Sequence, residues 1–204
     1  NGYLDDYANL ADGLLALYLV TFDEQWLDRS IELVDRMIDQ FWDREQGGFY
    51  FTSDNHEPLI ARTKEYFDNA TPSGNSVAAD VLTRLGVLLD RVDYREKAGQ
   101  VCREVSDYLR QFPSGLGRML ATADFIVGPS QEIALIGPLN EFLPILRKYY
   151  LPRSVVAAGT SERIALLRDR PAIDGKATAY VCENYSCKQP ATDTNMLDAQ
   201  LRQL

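Results

Sequence analysis

The sequence predicts a mainly α-helical fold: a partial α/α toroid of helical hairpins over residues 1–128, followed by a small α/β segment over residues 129–204. Three observations support this prediction. Apolar residues recur with helical spacing through the first half of the chain. Two copies of one helical unit can be aligned with a constant offset. After Gly128-Pro129, short apolar runs alternate with helical patterns.

Four stripes of apolar residues predict four helices in the first half, because one face of a helix returns every three or four positions. The stripes cover residues 7–17, 27–41, 78–88 and 94–112, and the first consists of Tyr7, Leu10, Leu14 and Leu17. A short aromatic run, Gly47 to Thr52, lies between the second and third stripes and begins with a glycine turn. It predicts a strand or a β-hairpin arm.

The four helices are predicted to form two copies of one hairpin. An offset of 68 residues places Asp12 on Asp80 and Leu17 on Leu85. In an array of repeated hairpins, each unit buries a face that its neighbour supplies. The repeat therefore predicts an array that curves or closes. Two hairpins are too few to close a toroid.

The second segment is predicted to contain three strands, over residues 132–137, 154–159 and 177–182, with helices over residues 139–150 and 162–168 between them. Strands that alternate with helices favour a small parallel sheet, here packed on the toroid. The order resembles a nucleotide-binding unit. However, Gly137-Pro138 is followed by Leu139 and not by a glycine-rich phosphate loop, which argues against a nucleotide.

Composition excludes several classes of function. The formal net charge of −9, from 21 basic and 30 acidic residues among 204, argues against a nucleic-acid partner. The longest apolar stretch, Gly13 to Val20, is much shorter than the ~20 residues that cross a membrane. A single histidine, His56, and three scattered cysteines predict no metal site, no cofactor and no Ser-His-Asp hydrolase. Three cysteines are no disulfide framework, so a reducing, cytoplasmic compartment is expected.

The repeat offset also predicts a ligand site. Asp5-Asp6-Tyr7 and Ser73-Gly74-Asn75 occupy equivalent helix N-termini and are therefore expected to face one cavity. Two carboxylates across a cavity with aromatic rings are typical of glycosidic-bond chemistry. The candidate catalytic residues are Asp6 and Asp68, with Asp5 and Glu65; the candidate ligand-binding residues are Tyr7, Tyr50, Lys64, Ser73, Gly74 and Asn75.

A structural explanation competes with this one at several positions. An aspartate at a helix N-terminus stabilises the helix by about 0.3–1 kcal/mol without any further function, which applies to Asp5 and Asp6. The structural explanation is favoured for Glu65, and Lys64 is more commonly a solvated loop charge. Cys182 and Cys187 are separated by four residues, which differs from the redox-active C-x-x-C spacing. A disulfide, a transient thiol switch and two unconnected thiols all remain open.

Four segments together resemble a known family: Gly2 to Ala8, Gly47 to Tyr50, Ala70 to Ser76 and Ala177 to Cys182. They are similar to the thioredoxin-domain-containing proteins related to spermatogenesis-associated protein 20. The resemblance implies an N-terminal thioredoxin-like domain followed by a helical toroid, similar to those of six-hairpin glycosidases and N-acylglucosamine 2-epimerases. This chain would be the C-terminal part. The epimerases use histidines as acid and base, and here only His56 is present.

Three hypotheses follow. The first is a toroid fragment that binds or processes a carbohydrate-like molecule, as a glycosidase- or epimerase-like enzyme if it is catalytic. The second is a non-catalytic interaction scaffold for the thioredoxin-like domain. The third is a redox role in which Cys182 and Cys187 exchange with that domain. An open hairpin array also exposes apolar flanks, so self-association is expected.

Overall fold

The computed structural model describes residues 2–57 and 60–204. The chain divides into two compact units, Asn1–Gly86 with Val92–Ile126 and Val87–Arg91 with Val127–Leu204. It is about half helical, with a four-stranded mixed sheet towards the C-terminal end. The helices are α1 (Leu4–Thr21), α2 (Glu24–Phe41), α3 (Gly74–Leu88), α4 (Val92–Glu104), α5 (Ser106–Gln111), α6 (Gly117–Val127), α7 (Phe142–Leu146) and α8 (Thr194–Leu201). The strands are β1 (Gln131–Ile136), β2 (Ser154–Ala158), β3 (Thr178–Glu183) and β4 (Ser186–Cys187).

Helices α1 and α2 form a hairpin whose ends are set by local hydrogen bonds. Phe22 takes a left-handed conformation (φ 57°) and ends α1, and its backbone N–H donates to the Tyr18 carbonyl. Asp23 then begins α2, because its carboxylate accepts the Gln25 N–H at 3.0 Å. The buried Ser30 hydroxyl donates to the Ala11 carbonyl at 2.9 Å and ties the two helices together.

Helix α1 is present as predicted, but the face that it buries differs from the apolar stripe that indicated it. The buried residues are Leu4, Ala8, Ala11, Leu15 and Tyr18, whereas Leu10 and Leu17 are 56% and 43% exposed. The pattern is ambiguous because α1 is apolar all round from Gly13 to Val20, so spacing alone cannot choose between its two faces.

The remaining helices of the first unit depart from the prediction in two places. The fourth predicted helix breaks at Val105 into α4 and α5. Helix α6 was not predicted, because it is short and begins at a glycine after an irregular turn. Helix α3 is buried at nearly every position from Gly74 to Thr83, which makes it the central helix of this unit.

Of the strand or β-hairpin arm predicted at Gly47 to Thr52, the structure contains only a minimal antiparallel pairing, in which the Asp43 N–H donates to the Gly48 carbonyl and the Tyr50 N–H to the Phe41 carbonyl. The segment makes one isolated antiparallel bridge, Trp42 to Phe49. Phe49 is fully buried, and the Asn75 side chain holds its backbone through two hydrogen bonds.

The second unit contains the sheet, in the order β2-β1-β3-β4. The prediction of a parallel sheet is correct only for β1 and β2, which are parallel; β3 is antiparallel to β1. The β1–β2 connection contains a helix, α7, whereas only two 3₁₀ turns separate β2 from β3, one of them at the position of the helix expected over residues 162–168. Helix α8 was not predicted and contacts α7 and β3. No helix among the described residues is both long and apolar enough to cross a bilayer.

Candidate functional site

The N-termini of α1 and α3 lie side by side, and the shared cavity that the repeat predicts there stays a prediction. The Gly74 N–H donates to the Asp5 carboxylate. A Cβ at position 74 would collide with Asp5 Oδ1 and would lie 2.9 Å from Leu4 Cγ, so a side chain does not fit there without a shift of its neighbours. Burial raises the pKa of Asp5 and the nearby charge of Glu65 adds to this, while the hydrogen bond from Gly74 acts in the opposite direction.

Asp6, a predicted catalytic residue, caps its own helix. Its Oδ2 accepts the Tyr3 N–H at 2.8 Å, and the residue is exposed. The neighbouring Tyr7, a predicted ligand-binding residue, is half-buried, with its ring centroid 5.3 Å from that of Phe41. Both side chains therefore have structural contacts at this end of α1.

Asp68, the second predicted catalytic residue, joins two helix N-termini. Its Oδ1 accepts the Ser73 N–H at 3.0 Å and the Ser76 hydroxyl at 3.2 Å, at the start of α3. Its Oδ2 accepts the Arg118 N–H at 2.9 Å, in the first turn of α6. A carboxylate is favoured at such an end because it accepts the free N–H groups and complements the helix dipole.

Ser73 and Asn75 hold loop backbone. The Ser73 hydroxyl donates to the Tyr66 carbonyl at 2.8 Å. The fully buried Asn75 amide accepts the Phe49 N–H and donates to the Phe49 carbonyl, both at 2.8 Å, and donates to the Glu65 carbonyl at 3.0 Å. Asn75 therefore fixes two loop segments against the start of α3.

Lys64 lies at the centre of a charged group that we call the Lys64 cluster: Asp43, Tyr50, Lys64, Tyr66 and Glu104. The Lys64 Nζ is 2.8 Å from Asp43 Oδ2 and 3.0 Å from Glu104 Oε1, and it donates to the Gly47 carbonyl at 2.6 Å. Its side chain is 12% exposed. The prediction that Lys64 belongs to the site stays open, but the alternative of a solvated loop charge is wrong.

The ionisation of the cluster follows from these contacts. Burial alone would raise the pKa of Asp43, but hydrogen bonds from Lys64, the Glu45 and Gln46 N–H groups and the Tyr50 hydroxyl lower it far below its usual value. Burial would lower the pKa of Lys64, and its two carboxylate partners raise it instead. Burial and the adjacent Glu104 raise the pKa of Tyr66.

Two clefts border the cluster. The larger, of about 540 Å³, is lined by Lys64, Glu65, Tyr66, Phe67, Glu104 and Tyr108, and we call it the Phe67 cleft. The other, of about 460 Å³, is lined by Asp43, Tyr50 and Arg62 among others. The Arg62 guanidinium lies 4.2 Å from the centroid of the Tyr50 ring, so an arginine already covers that ring.

The Phe67 cleft presents aromatic surface beside charge. Phe67 and Tyr108 are 49% and 48% exposed, and their rings meet edge to face with centroids 5.5 Å apart. Glu65 and Glu104 supply carboxylates, and Lys64 supplies an ammonium group. The sequence did not indicate Phe67, Tyr108, Glu104 or Asp43, because only their contacts with Lys64 and with each other distinguish them.

A second charged group centres on Arg118. Its Nη2 is 2.7 Å from Asp80 Oδ2 and 3.1 Å from Asp12 Oδ2, and a small cleft of about 200 Å³ adjoins it. Burial raises the pKa of Asp12, while Arg118 opposes this. Asp12 and Asp80 are the pair that the 68-residue offset aligned, so the offset could have indicated that these two carboxylates lie close together. Nothing in the sequence indicated Arg118 as their shared partner.

Cys182 and Cys187 form a disulfide in the second unit. Of the three alternatives that the sequence left open, the structure therefore contains the disulfide. Arg170 lies beside both sulfur atoms, a neighbour that the sequence did not indicate.

The chain resembles curated proteins over nearly its whole length. Human spermatogenesis-associated protein 20 is 31% identical over 94% of this chain, and the mouse protein of the same name is 30% identical over 99%. An uncharacterized protein of Caenorhabditis elegans is 29% identical over 92%. The chain is similar to the C-terminal part of spermatogenesis-associated protein 20.

This similarity supports the family link that the sequence segments suggested. The chain spans about a quarter of the length of spermatogenesis-associated protein 20, with 26% of the human and 27% of the mouse protein covered. No family model matches the chain. The name of spermatogenesis-associated protein 20 states no biochemical activity, so the function has to be argued from the site.

Proposed function

We propose that the first unit binds a carbohydrate-like, polyhydroxylated small molecule in the Phe67 cleft. The observation that carries this proposal is the half-exposed Phe67–Tyr108 pair next to two carboxylates and an ammonium group. An aromatic ring suits the apolar face of a sugar, and carboxylates accept hydrogen bonds from its hydroxyl groups. Ligand sites commonly combine apolar walls with a few well-placed polar groups.

The proposal is one of binding without turnover. Glycosidic-bond hydrolysis needs a carboxylic acid of raised pKa paired with a second carboxylate. Asp6 and Asp68 are engaged at helix ends, and Glu104 is paired with Lys64. Among the described carboxyls whose pKa is raised are Asp5 and Asp12, and neither lines the cleft.

The larger context is also a proposal. The helices of the first unit would form part of an α/α toroid, in a longer protein that also carries a thioredoxin-like domain. The resemblance of the four sequence segments supports the toroid and the thioredoxin-like domain, and the quarter-length match supports the longer protein. A cytoplasmic location is also proposed, because three cysteines among 204 residues are too few for the disulfide framework of a small secreted domain.

The test is a calorimetric titration of the chain with a panel of mono- and disaccharides, combined with an assay for released reducing ends. We expect one or more sugars to bind and Phe67→Ala to weaken that binding roughly two- to tenfold, since an aromatic contact contributes roughly 0.5–1.5 kcal/mol beyond its buried area. Tyr150→Ala is the matched control, because Tyr150 is an exposed aromatic of the second unit.

Three outcomes would overturn the proposal. The first is the absence of binding by every sugar at millimolar concentration, and the second is binding that Phe67→Ala leaves unchanged. The third is hydrolysis that Asp5→Asn abolishes, which would assign the site to a glycosidase-like enzyme.

A second candidate function is a non-catalytic interaction role, favoured by one face of α1. This surface, which we call the α1 face, consists of Leu10, Leu14, Leu17 and Val20, and three of the four are exposed by 43% or more. Their spacing is that of a helix-packing seam. In the isolated chain, we propose that a second copy covers this face.

A further inference from the structure

The disulfide closes a tight hairpin at the edge of the sheet in the second unit. Cys182 of β3 and Cys187 of β4 are antiparallel partners, and Asn184 and Tyr185 form the turn between the strands. Both turn residues have left-handed backbone angles, with φ of 49° and 62°. This conformation is unfavourable for tyrosine, so the closed hairpin holds Tyr185 in a strained position.

The two ends of the disulfide differ in exposure. Cys182 is fully buried, whereas Cys187 belongs to the exposed strand β4. An incoming thiolate therefore approaches from the Cys187 side. Attack there makes Cys182 the leaving group.

The guanidinium of Arg170 lies beside the sulfur that would become negatively charged when Cys182 leaves. Arg170 Nη2 lies 3.7 Å from Cys182 Sγ and 3.6 Å from Cys187 Sγ. A neighbouring guanidinium stabilises a thiolate, and a more stable leaving thiolate departs faster. Arg170 also lies within 5.9 Å of the Tyr180 ring, which helps to fix its position.

The buried carboxylate of Glu132 lies close to the disulfide and to the turn between β3 and β4. Glu132 is fully buried on β1, directly across the sheet from Cys182. Its Oε2 accepts the Tyr185 N–H at 2.9 Å, and its other oxygen accepts the Ser130 hydroxyl. Glu132 also interacts electrostatically with Arg170 and opposes the lowering of the Arg170 pKa by burial. Glu132 thus holds the strained turn through the Tyr185 N–H and adds a negative charge to the surroundings of Arg170.

We propose that Cys182–Cys187 is a redox-active disulfide that exchanges with a dithiol reductant, with Cys187 as the attacked sulfur and Arg170 as the residue that stabilises the departing Cys182 thiolate. In reducing compartments, a disulfide is usually transient and is catalytic or redox-sensing. The site lies in the second unit and does not depend on the sugar-binding proposal.

The exchange has two balanced steps. A thiolate of the reductant forms a bond to Cys187 Sγ, the Cys182–Cys187 bond breaks, and its electron pair stays on Cys182. The second thiol of the reductant then loses its proton and attacks the first reductant sulfur, which is bonded to Cys187 in the mixed disulfide. This closes the disulfide of the reductant and releases the Cys187 thiolate. Two electrons and two protons pass to the chain, which ends as two thiols, and the reductant ends as a disulfide.

The rate of reduction by dithiothreitol tests the role of Arg170. Thiols are trapped with a maleimide and located by mass spectrometry in a Cys102→Ser background, although burial already raises the pKa of Cys102 to about 11. We expect thiols to appear at positions 182 and 187 while the circular dichroism of the chain stays native. Arg170→Gln should slow reduction by roughly three- to tenfold, because without the guanidinium the departing Cys182 thiolate is less stable and leaves more slowly. Arg170→Lys should restore part of the rate.

The control is Arg168→Gln, which changes an exposed arginine two residues away whose Nε donates to the Glu162 carbonyl. It should be reduced at the wild-type rate. Reduction that occurs only in denaturant, or an Arg170→Gln rate equal to that of the wild type, would overturn the proposal.

The attacked sulfur is tested separately with Ellman's reagent. Cys182→Ser leaves Cys187 as a free, exposed thiol and should react quickly, whereas Cys187→Ser leaves the buried Cys182 and should react slowly. The opposite order of rates would contradict the assignment of Cys187.

Discussion

Single carboxylates decide how the helix ends of the first unit are held. Asp68 serves two ends at once, through Ser73 and Ser76 on α3 and the Arg118 N–H on α6, whereas Asp6 serves only the start of α1. The sequence placed both residues in a catalytic pair. The sequence located both aspartates near helix N-termini. However, it cannot distinguish an aspartate that caps a helix from one that is catalytic, because the residue type and the position are the same in both cases.

We expect Asp68→Ala to lower the free energy of unfolding by about 2 kcal/mol, because two helix ends lose their caps and each is worth about 1 kcal/mol. Asp6→Ala, which removes one cap, should cost about half as much. Urea denaturation followed by circular dichroism measures both. An Asp68→Ala variant that is no less stable than Asp6→Ala would contradict the double cap.

The Lys64 cluster makes stability depend on pH through Asp43. Because the native pKa of Asp43 is lowered from its ordinary value of 3.8, its contribution is present above that pH and is lost as the pH falls through the lower native pKa. We expect the wild-type chain to lose more unfolding free energy than Asp43→Asn between about pH 5 and pH 2. Glu45→Gln, in the same loop, is the control and should follow the wild type. Parallel pH profiles for all the chains would refute this.

At the scale of elements, regular spacing predicted the long helices, because the period of a helix is a local property. The failures came from contacts between distant parts of the chain. The Gly47 to Thr52 run was predicted to be a strand or a β-hairpin arm, yet the Asn75 side chain holds Phe49, 26 residues away. Lys64 was singled out without its partner Glu104, which is 40 residues away. A local sequence pattern cannot indicate contacts between residues that are this far apart in the chain.

Helix α1 has a second apolar face that is exposed, the α1 face, and its role in self-association can be tested. We expect the isolated chain to self-associate through the α1 face, and Leu17→Lys to shift it to the monomer, because a charge would have to be buried in the apolar seam. Val92→Lys, at an exposed apolar position of α4, is the matched control and should leave association unchanged. Sedimentation velocity at several concentrations provides the measurement. A wild-type chain that stays monomeric at the highest concentration would contradict the expectation.

At the scale of the whole molecule, the two compact units carry different chemistry. The first contains the clustered charges and the Phe67 cleft, and the second contains the disulfide with Arg170 and Glu132. The acidic net charge of −9 gives the chain many carboxylates, and several of those in the first unit are committed to Lys64, Arg118 or helix ends. Composition alone could not distinguish these from solvated charges.

The most direct test of the sugar-binding proposal is to map the ligand by NMR. The chain is labelled with ¹⁵N, and the sugar that binds best is titrated in. We predict that the shifted amide signals belong to residues 64–67 and to the vicinity of Glu104 and Tyr108, and that Phe67→Ala reduces these shifts at the same subsaturating sugar concentration. Shifts confined to the second unit, or no saturable shifts with any sugar, would contradict the account.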